Sequence, residues 1–373
     1  IAEKLQQVRP HRGQVAVAKT MRETLASSRM LRSREHHEDV TIPQGVKEIS
    51  EVVQEIYSFR CIPQILGPVY DTLKNVQQDV EISGLNVIDH RKFMIIDGIT
   101  SIIGSLNIGD QYTFQTPIDS SPTVQVDGCI LGIPGKEKEW HDGCFRIRGA
   151  VAKPLNNVFH SRWLLLGGDP FNVGDVYYSP DMDLNFGEEE CTLFVSFPGN
   201  PVNLIQQYYL DLISYASEET LIVNPYLIDQ AFWDRLKKLG PECSGHLTLC
   251  NSLFVNDHPT NLAAVRSNMY EPFCNGVSFY DYSGTGRFSH WKISYDKRSN
   301  AVFHGSYNIN ERSACHDFEL GLLVKGEAFA NKVRAMIKYD LSVSRKITDK
   351  HEFFKHPWLH PSTYVNAATR NFT

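Results

Sequence analysis

The chain has 373 residues, of which 42% are hydrophobic and 21% charged, a globular composition that excludes a disordered, collagen-like or coiled-coil chain. Its 37 Lys and Arg against 43 Asp and Glu give a formal net charge of −6. Proteins that grip nucleic acid along their length are normally basic, so an anionic substrate would have to meet positive charge concentrated in one site.

The length predicts two domains, or two halves that share one core. Residues 1–59 are polar and helix-prone, and residues 49–57 (ISEVVQEIY) space their apolar side chains at helical intervals. Beyond residue 60, helix-like and strand-like pieces alternate, which is typical of an α/β architecture. Predicted helices span 150–163, 202–216, 232–239 and 327–340, and predicted strands span 87–97, 142–149, 220–227, 246–254, 276–282, 288–296 and 319–326.

Eight cysteines are scattered without a C-x-x-C pair, so the sequence gives little support to a zinc ribbon or a thioredoxin-like site. No apolar run approaches the ~20 residues that are needed to span a bilayer.

Two segments of the chain repeat one pattern. The segment IDHRKFMIIDG at 88–98 is followed by GSLNI at 104–108. The segment FSHWKISYD at 288–296 is followed by GSYNI at 305–309. Downstream of its asparagine the first copy carries an extra loop, roughly residues 111–135. Self-similarity of this kind indicates duplication of one structural unit.

The repeat continues further along the chain. DGCFRIRG at 142–149 matches ELGLLVKG at 319–326 in length and pattern, and each segment leads into a predicted helix. The expected organisation is therefore a first half over 60–170 and a second half over 190–345. Residues 346–373 form a C-terminal tail, and the divergent helical segment precedes the first half.

Each copy of the repeat places a histidine and a lysine two residues apart, with an asparagine shortly after them. Side chains two residues apart in a strand point to one face, so the imidazole and the ammonium group project together. One H-x-K is a weak signal, but a duplicated H-x-K, each followed 14 or 15 residues later by G-S-x-N, is hard to obtain by chance. The candidate catalytic residues are His90, Lys92, Asn107, His290, Lys292 and Asn308.

Two such sets, brought together across a pseudo-twofold axis, suit the chemistry of a phosphodiester. Lysine ammonium groups and asparagine amides would bind the non-bridging oxygens and stabilise a pentacoordinate transition state. One neutral imidazole would attack phosphorus and form a phosphohistidine. The other imidazole, protonated, would give its proton to the leaving alcohol and later activate water or an acceptor alcohol. Since lysines supply the positive charge, no metal and no other cofactor is expected.

Six further residues are assigned supporting roles. Asp142 and Glu319 are equivalent by the repeat, and each would orient an imidazole through its second nitrogen. Asp97 has the opposite parity to His90 along the strand, so it is expected to face away and serve structure. The supporting residues are Ser105, Ser306, Asp142, Glu319, Asp97 and Asp296.

The segments HRKFMIID, GSLN, FSHWK, GSYN and DFELGLLV resemble the phospholipase D superfamily, whose signature is H-x-K-x4-D followed by G-S/G-x-N. The resemblance covers about 60–345 and is most pronounced to the bacterial phospholipase D and cardiolipin synthase branch. It implies an α/β fold of two pseudo-symmetric α/β/α sandwich halves, each a mixed sheet flanked by helices, with the active site at their interface. It also implies a ping-pong phosphatidyl transfer with His90 as nucleophile and His290 as acid. The second motif departs from the pattern, because Asp296 follows His290 by six residues where seven are expected.

The function expected first is a phospholipase D that hydrolyses glycerophospholipids to phosphatidic acid and free headgroup, with transphosphatidylation. The alternative is a cardiolipin synthase, which joins two phosphatidyl groups through glycerol. A nuclease of the same superfamily and a catalytically inactive interaction module are further alternatives. The acidic net charge and the absence of Lys/Arg clusters interleaved with aromatics argue against the nuclease.

The expected partners are phospholipid in a membrane surface and a water or alcohol acceptor, with no nucleic acid and with the monomer as the functional form. The resemblance implies a peripheral membrane protein, either at the bacterial cytoplasmic face or as a secreted effector, and the sequence leaves these two open. The tail segment FFKHPWL, residues 353–359, is aromatic. It would either dip into the headgroup region of a membrane or pack against the protein.

Overall fold

The computed structural model describes residues 88–112, 140–169, 184, 186–198 and 202–369. The predicted helical segment 1–59 and most of the extra loop 111–135 lie outside these residues. The described chain forms two sheets with helices packed against them. No helix in this part of the chain is long and apolar enough to cross a membrane.

The first half contributes a three-stranded antiparallel sheet in the order β1-β2-β3. A helix, α1 (Ala152–Leu165), follows this sheet and buries Leu155 and Val158 completely. The strands are β1 (Phe93–Ile96), β2 (Thr100–Gly104) and β3 (Cys144–Arg148).

The second half contributes an eight-stranded mixed sheet. Its strands are β4 (Glu190–Ser196), β5 (Thr220–Val223), β6 (Leu247–Asn251), β7 (Ser278–Asp281), β8 (Ile293–Asp296), β9 (Ala301–Gly305), β10 (Glu319–Lys325) and β11 (Arg345–Lys346). Their order in the sheet is β11-β7-β6-β5-β8-β9-β10-β4. The β5-β6 and β6-β7 pairs are parallel, and the other pairs are antiparallel.

Helices cover both faces of the eight-stranded sheet, because its central strands are apolar on both sides. The helices are α2 (Leu204–Ser214), α3 (Gln230–Lys237), α4 (Pro241–Ser244), α5 (Pro259–Asn268), α6 (Tyr270–Cys274), α7 (Glu311–Cys315), α8 (Glu327–Val343) and α9 (Pro361–Thr369). In β5, Leu221 and Val223 face the cluster that contains α8, whereas Ile222 faces the cluster of α2, α3 and α5. The predicted α/β class with sheets flanked by helices is confirmed.

The two halves share an apolar interface. Ile103 of β2 and Leu155 of α1 pack in one cluster with Leu193 of β4 and with Leu320 and Leu322 of β10. Ile103, Leu155 and Leu322 are each at most 1% exposed. The halves therefore meet through a buried core, which fixes the segments that run between them.

The H-x-K segments differ from the prediction in one respect. Their histidines and lysines lie just before β1 and β8 instead of inside these strands. The reason is that each segment crosses to the other half, where Asp89 pairs with Phe318 and Ser289 pairs with His141 in isolated parallel bridges. The strands begin only once the chain has returned to its own sheet.

Candidate active site

Backbone pairing between the halves brings the repeated motifs together. His90 donates its backbone N–H to the carbonyl oxygen of Phe318 at 3.0 Å, and His290 donates to the carbonyl oxygen of His141 at 2.8 Å. In each case the next residue after the acceptor is the acid that the repeat singled out. The pairing therefore presents the acid of one half to the histidine of the other.

Each imidazole is bound to a carboxylate of the opposite half. Nδ1 of His90 lies 3.0 Å from Oε1 of Glu319, and Nδ1 of His290 lies 2.7 Å from Oδ2 of Asp142. Both carboxylate side chains are completely buried. A carboxylate at Nδ1 accepts a hydrogen bond from the Nδ1–H group and so fixes the tautomer in which Nε2 carries the reactive lone pair.

Serine hydroxyls support both carboxylates. The hydroxyl of Ser105 donates to Asp142, and the hydroxyl of Ser306 donates to Glu319. Ser313 also donates to Glu319, at 2.6 Å. Burial by itself raises the pKa of Glu319, but the charges and hydrogen bonds around it prevail and hold that pKa at about 2. The pKa of Asp142 is likewise lowered against the effect of burial, through its hydrogen bond with His290.

The two lysines hold their histidine segments in different ways. Lys92 donates from Nζ to the carbonyl oxygen of His90 at 2.6 Å. Lys292 donates to the carbonyl oxygen of His290 at 2.9 Å, and its Nζ also lies 2.9 Å from Nε2 of that ring. Burial, together with the ammonium group of Lys292, lowers the pKa of His290. Nε2 of a neutral His290 therefore accepts a hydrogen bond from Lys292. Nε2 of His90 has no such contact with Lys92.

The proposed reacting groups open into one cleft of about 340 Å³. Both histidines line it, as do Asn107 and Asn308. The Asn107 amide donates to the hydroxyl of Tyr112 at 2.7 Å, and Oδ1 of Asn308 is buried without a hydrogen-bond partner among the described residues. The structure thus gathers the two histidines and two asparagines that the repeat predicted, with their lysines directly behind them.

Asp97 and Asp296 lie away from this cleft, at the far ends of β1 and β8. Asp97 is exposed in the turn after β1 with φ 55°, and Asp296 accepts a hydrogen bond from Ser299. Strand β8 ends at Asp296, and the turn that follows it spans residues 297–300. This turn is one residue longer than the turn after β1, which spans residues 97–99. The altered spacing of the second motif is therefore absorbed in a turn, and neither aspartate lines the cleft.

The sequence analysis gave no site role to several residues in or beside the cleft. Tyr112, which lines the cleft, and Ser313 each follow the asparagine of their copy by five residues, and this shared spacing is the signal that could have found them. The hydroxyl of Tyr112 lies 3.4 Å from Nδ1 of His290. Arg312, whose Nε is 3.0 Å from Asp317, adds a cation to the cleft lining that no motif indicated.

His304 of β9 is another residue that the sequence did not indicate. It is fully buried, with Nδ1 at 2.8 Å from the carbonyl oxygen of Lys292 and Nε2 at 3.0 Å from the carbonyl oxygen of Gly143. Burial lowers the pKa of His304, and a neutral imidazole has one N–H to share between the two carbonyls. The equivalent residue of the first half is Ile103, so the repeat does not extend to this position.

These features define a class of protein: two α/β halves that share one cleft, in which the histidine of each H-x-K segment binds a carboxylate of the other half. Comparison with known proteins agrees with this class. Residues 209–341 match the family model described as cardiolipin synthase, PLD-like domain. Residues 1–90 match a second model, described as aromatic amino acid lyase, and that match lies almost wholly outside the described residues.

Curated relatives and one solved structure extend the comparison. Cardiolipin synthase 1 of Staphylococcus aureus (strain MRSA252) is 28% identical over 271 residues, which is 71% of this chain and 49% of the relative. The major cardiolipin synthase ClsA of Bacillus subtilis (strain 168) is 28% identical over 282 residues, which is 74% of this chain and 52% of the relative. The crystal structure of phosphatidylserine synthase from Haemophilus influenzae Rd KW20 superposes with a TM-score of 0.53 at 13% identity, over 76% of this chain and 69% of that one.

These matches support the resemblance to the phospholipase D superfamily. The chain spans about half the length of the curated relatives it matches.

Proposed function

We propose that the chain is a phosphatidyl transferase of the cardiolipin synthase type, which moves a phosphatidyl group from one phospholipid to an alcohol of a second through a phosphohistidine. The observation that carries the proposal is the pair of imidazoles in one cleft, each held at Nδ1 by a carboxylate of the opposite half. The cardiolipin synthase relatives favour transfer over the hydrolysis that the sequence placed first.

His90 is the nucleophile in this proposal. Its Nδ1 is bound to Glu319, and Nε2 has no partner among the described residues, so its lone pair is free to attack. Nε2 of His290, by contrast, lies 2.9 Å from Nζ of Lys292. The asymmetry between the two rings supports the same assignment that the superfamily resemblance implies.

In the first step Nε2 of His90 attacks phosphorus, and the bond from phosphorus to the headgroup oxygen breaks. His290, protonated at Nε2, gives its proton to the leaving alkoxide, so that a neutral alcohol departs. The anionic phosphodiester favours the protonated form of His290 and draws the ammonium group of Lys292 from the ring to a phosphate oxygen. Lys92, Lys292 and the asparagine amides then stabilise the charge on the equatorial oxygens.

In the second step the acceptor alcohol loses its proton to Nε2 of His290, and its oxygen attacks the phosphohistidine. The bond from phosphorus to His90 breaks, which restores both imidazoles. When the acceptor is the glycerol headgroup of phosphatidylglycerol, the product is cardiolipin. Tyr112, Trp140 and Tyr226 pack around His290, with ring centroids 5.6 to 6.3 Å from its own, and this aromatic surrounding favours an alcohol over water as acceptor.

The experiment is mass spectrometry of the products that the purified chain forms from vesicles of phosphatidylglycerol in phosphatidylcholine, with and without ethanol. We expect cardiolipin and free glycerol, and phosphatidylethanol when ethanol is present. Phosphatidic acid as the sole product would instead support the hydrolase. Cleavage of single-stranded DNA without lipid turnover would support the nuclease, and binding without turnover would support an inactive module.

Variants test the site itself. We expect His90→Ala and His290→Ala each to lower turnover at least about 10³-fold, because each removes a group that acts in both steps. His246→Ala, a change at an exposed histidine outside the cleft, is the matched control and should keep full activity. Unchanged turnover in both cleft variants would refute the site. Mapping of trapped phosphohistidine to position 290 would reverse the two roles.

The proposed substrate places the chain at a membrane surface as a peripheral protein. The bacterial relatives support a setting in phospholipid synthesis, and they lend no support to a secreted effector. Phospholipid and an alcohol acceptor are the proposed partners.

A further inference from the structure

The C-terminal tail carries an exposed apolar surface, which we name the C-terminal patch: Trp358, Leu359, Tyr364 and Val365. These four side chains lie within eight residues, and between 57% and 65% of each is exposed. The hydroxyl of Tyr364 donates to the carbonyl oxygen of Trp358 at 2.8 Å, which holds the short 3-10 helix Pro357–Leu359 against α9. This hydrogen bond therefore ties together the two short segments that carry the patch.

The tail beneath the patch is firmly anchored to the second half. Phe353 is 5% exposed and belongs to the core of α2, α3 and β7, and the ring of Phe354 stacks on His360 with 3.9 Å between centroids. The Thr363 hydroxyl donates to the carbonyl oxygen of Pro357 at 2.8 Å. The sequence left open whether this aromatic tail packs or projects. The structure divides it, with Phe353 and Phe354 packed and Trp358 and Leu359 projecting.

The sequence of the segment that carries the patch has charge of one sign. The chain as a whole has a net charge of −6, yet residues 353–373 contain no Asp or Glu and two fixed cations, Lys355 and Arg370. His356 and His360 are exposed beside the patch. Tryptophan and tyrosine prefer the boundary between headgroups and acyl chains, and basic residues beside them are attracted to anionic lipid. This combination fits an anionic membrane surface.

The position of the patch relates it to the cleft. The helix α5 follows directly after His258, which lines the cleft, and α9 packs along α5. Near the other end of α5, the Ser267 hydroxyl lies 3.0 Å from the hydroxyl of Thr363. A helix of ten residues is about 15 Å long, so one short helix separates the patch from the cleft.

We propose that the C-terminal patch is the surface with which the chain docks on an anionic lipid bilayer, close to the cleft that receives the phospholipid. This inference rests on the proposed function, since a lipid transferase must reach its substrate at a membrane. The occupant is the bilayer itself. A second copy of the chain is the competing occupant, and the test separates the two.

The test compares two double variants, each of which replaces one exposed aromatic and one exposed leucine side chain. In the patch variant, Trp358→Ser and Leu359→Ser change side chains that are 63% and 65% exposed. In the control variant, Tyr215→Ser and Leu166→Ser change side chains outside the patch that are 61% and 70% exposed. Circular dichroism and thermal unfolding are the controls that check whether both variants fold.

Co-sedimentation measures binding to vesicles of phosphatidylglycerol in phosphatidylcholine and to vesicles of phosphatidylcholine alone. We expect the parent chain and the control variant to bind the anionic vesicles, and the patch variant to bind them at least about tenfold more weakly. Binding of the patch variant at parent strength would overturn the proposal. Self-association of the parent chain without lipid, abolished in the patch variant, would also overturn it and identify an interface between copies.

Turnover of a short-chain, water-soluble phosphatidylglycerol separates this proposal from the proposed function. The patch variant should turn over the soluble substrate at the rate of the parent chain, because the cleft is unchanged. Absence of turnover by the parent chain would refute the proposed function whatever the vesicles show. A loss of soluble turnover confined to the patch variant would refute the docking role and indicate a structural one.

Discussion

Nδ1 of His90 lies 3.0 Å from Oε1 of Glu319, although 229 residues separate them along the chain. The relationship is repeated with the halves exchanged, since Nδ1 of His290 lies 2.7 Å from Asp142. Each imidazole thus depends on a carboxylate that its own half does not contain.

A substrate whose leaving group needs no proton should distinguish the roles of the two carboxylates. We expect Glu319→Gln and Asp142→Asn each to lower kcat about 10²- to 10⁴-fold, because the amide no longer holds the imidazole in its reactive tautomer. A phosphatidyl ester of p-nitrophenol needs no proton for its leaving group, so release of nitrophenol in a single turnover should recover in Asp142→Asn but stay slow in Glu319→Gln. Recovery of the opposite variant would exchange the roles of the two histidines.

Acid should destabilise the protein through His290. Burial and the neighbouring ammonium group lower the pKa of His290 from 6.5 to about 3, so the unfolded chain takes up a proton at a higher pH than the folded one. The contribution to the free energy of unfolding is therefore complete above about pH 6.5 and is lost as the pH falls toward 3. His290→Gln removes this titration. Between about pH 7 and pH 4 its free energy of unfolding should therefore fall by about 3 kcal/mol less than that of the parent chain.

Urea unfolding at several pH values measures that difference. His246→Gln, a change at an exposed histidine, should follow the parent chain over the whole range. Parallel curves for His290→Gln and the parent chain would contradict the prediction.

The imidazole of His304 should support both stability and activity. His304→Ile gives β9 the side chain that β2 has at Ile103, and it leaves the carbonyls of Lys292 and Gly143 without their imidazole contacts. We expect a loss of about 1 to 3 kcal/mol in the free energy of unfolding and a lower kcat with little change in KM, because Lys292 is displaced. His304→Gln, which can donate to one carbonyl, should recover part of the loss. Denaturant titration and steady-state kinetics test this, and equal effects of Ile and Gln would contradict it.

The hydroxyls five residues beyond each asparagine should differ in importance. Tyr112→Phe removes the acceptor of the Asn107 amide, so KM is expected to rise about three- to tenfold with a small change in kcat. Ser313→Ala removes a direct donor to the buried Glu319 carboxylate and should lower kcat more strongly, about ten- to a hundredfold. Steady-state kinetics on both variants measure the contrast, and a larger kcat effect for Tyr112→Phe would contradict it.

Much of the fold could be predicted because its signals are local. The run from Thr220 to Val223 is apolar on both faces, as a strand buried between two helical layers requires. The repeat likewise predicted which residue types would share a cleft. Neither signal reveals where a segment goes after it leaves its own sheet.

The rest depends on contacts across the halves that carry no local pattern. The binding of each histidine to a carboxylate of the other half follows from single parallel bridges at Asp89 and Ser289, which propensity and periodicity do not encode. His304 sits in an apolar strand, where a lone histidine gives no motif, and its role exists only through two distant carbonyls. For the same reason the strand prediction placed His90 inside β1, because the sequence does not show the crossing that delays the strand.

The exchanged pairs also govern how the sequence can change over time. A substitution at Glu319 alters the imidazole of the first half, and one at Asp142 alters that of the second, so compensation has to come from the other copy. Correlated change is therefore expected between positions 90 and 319 and between 142 and 290, and not within either repeat. The sequences of two copies that depend on each other in this way cannot diverge independently, because each copy restricts the substitutions that the other can accept.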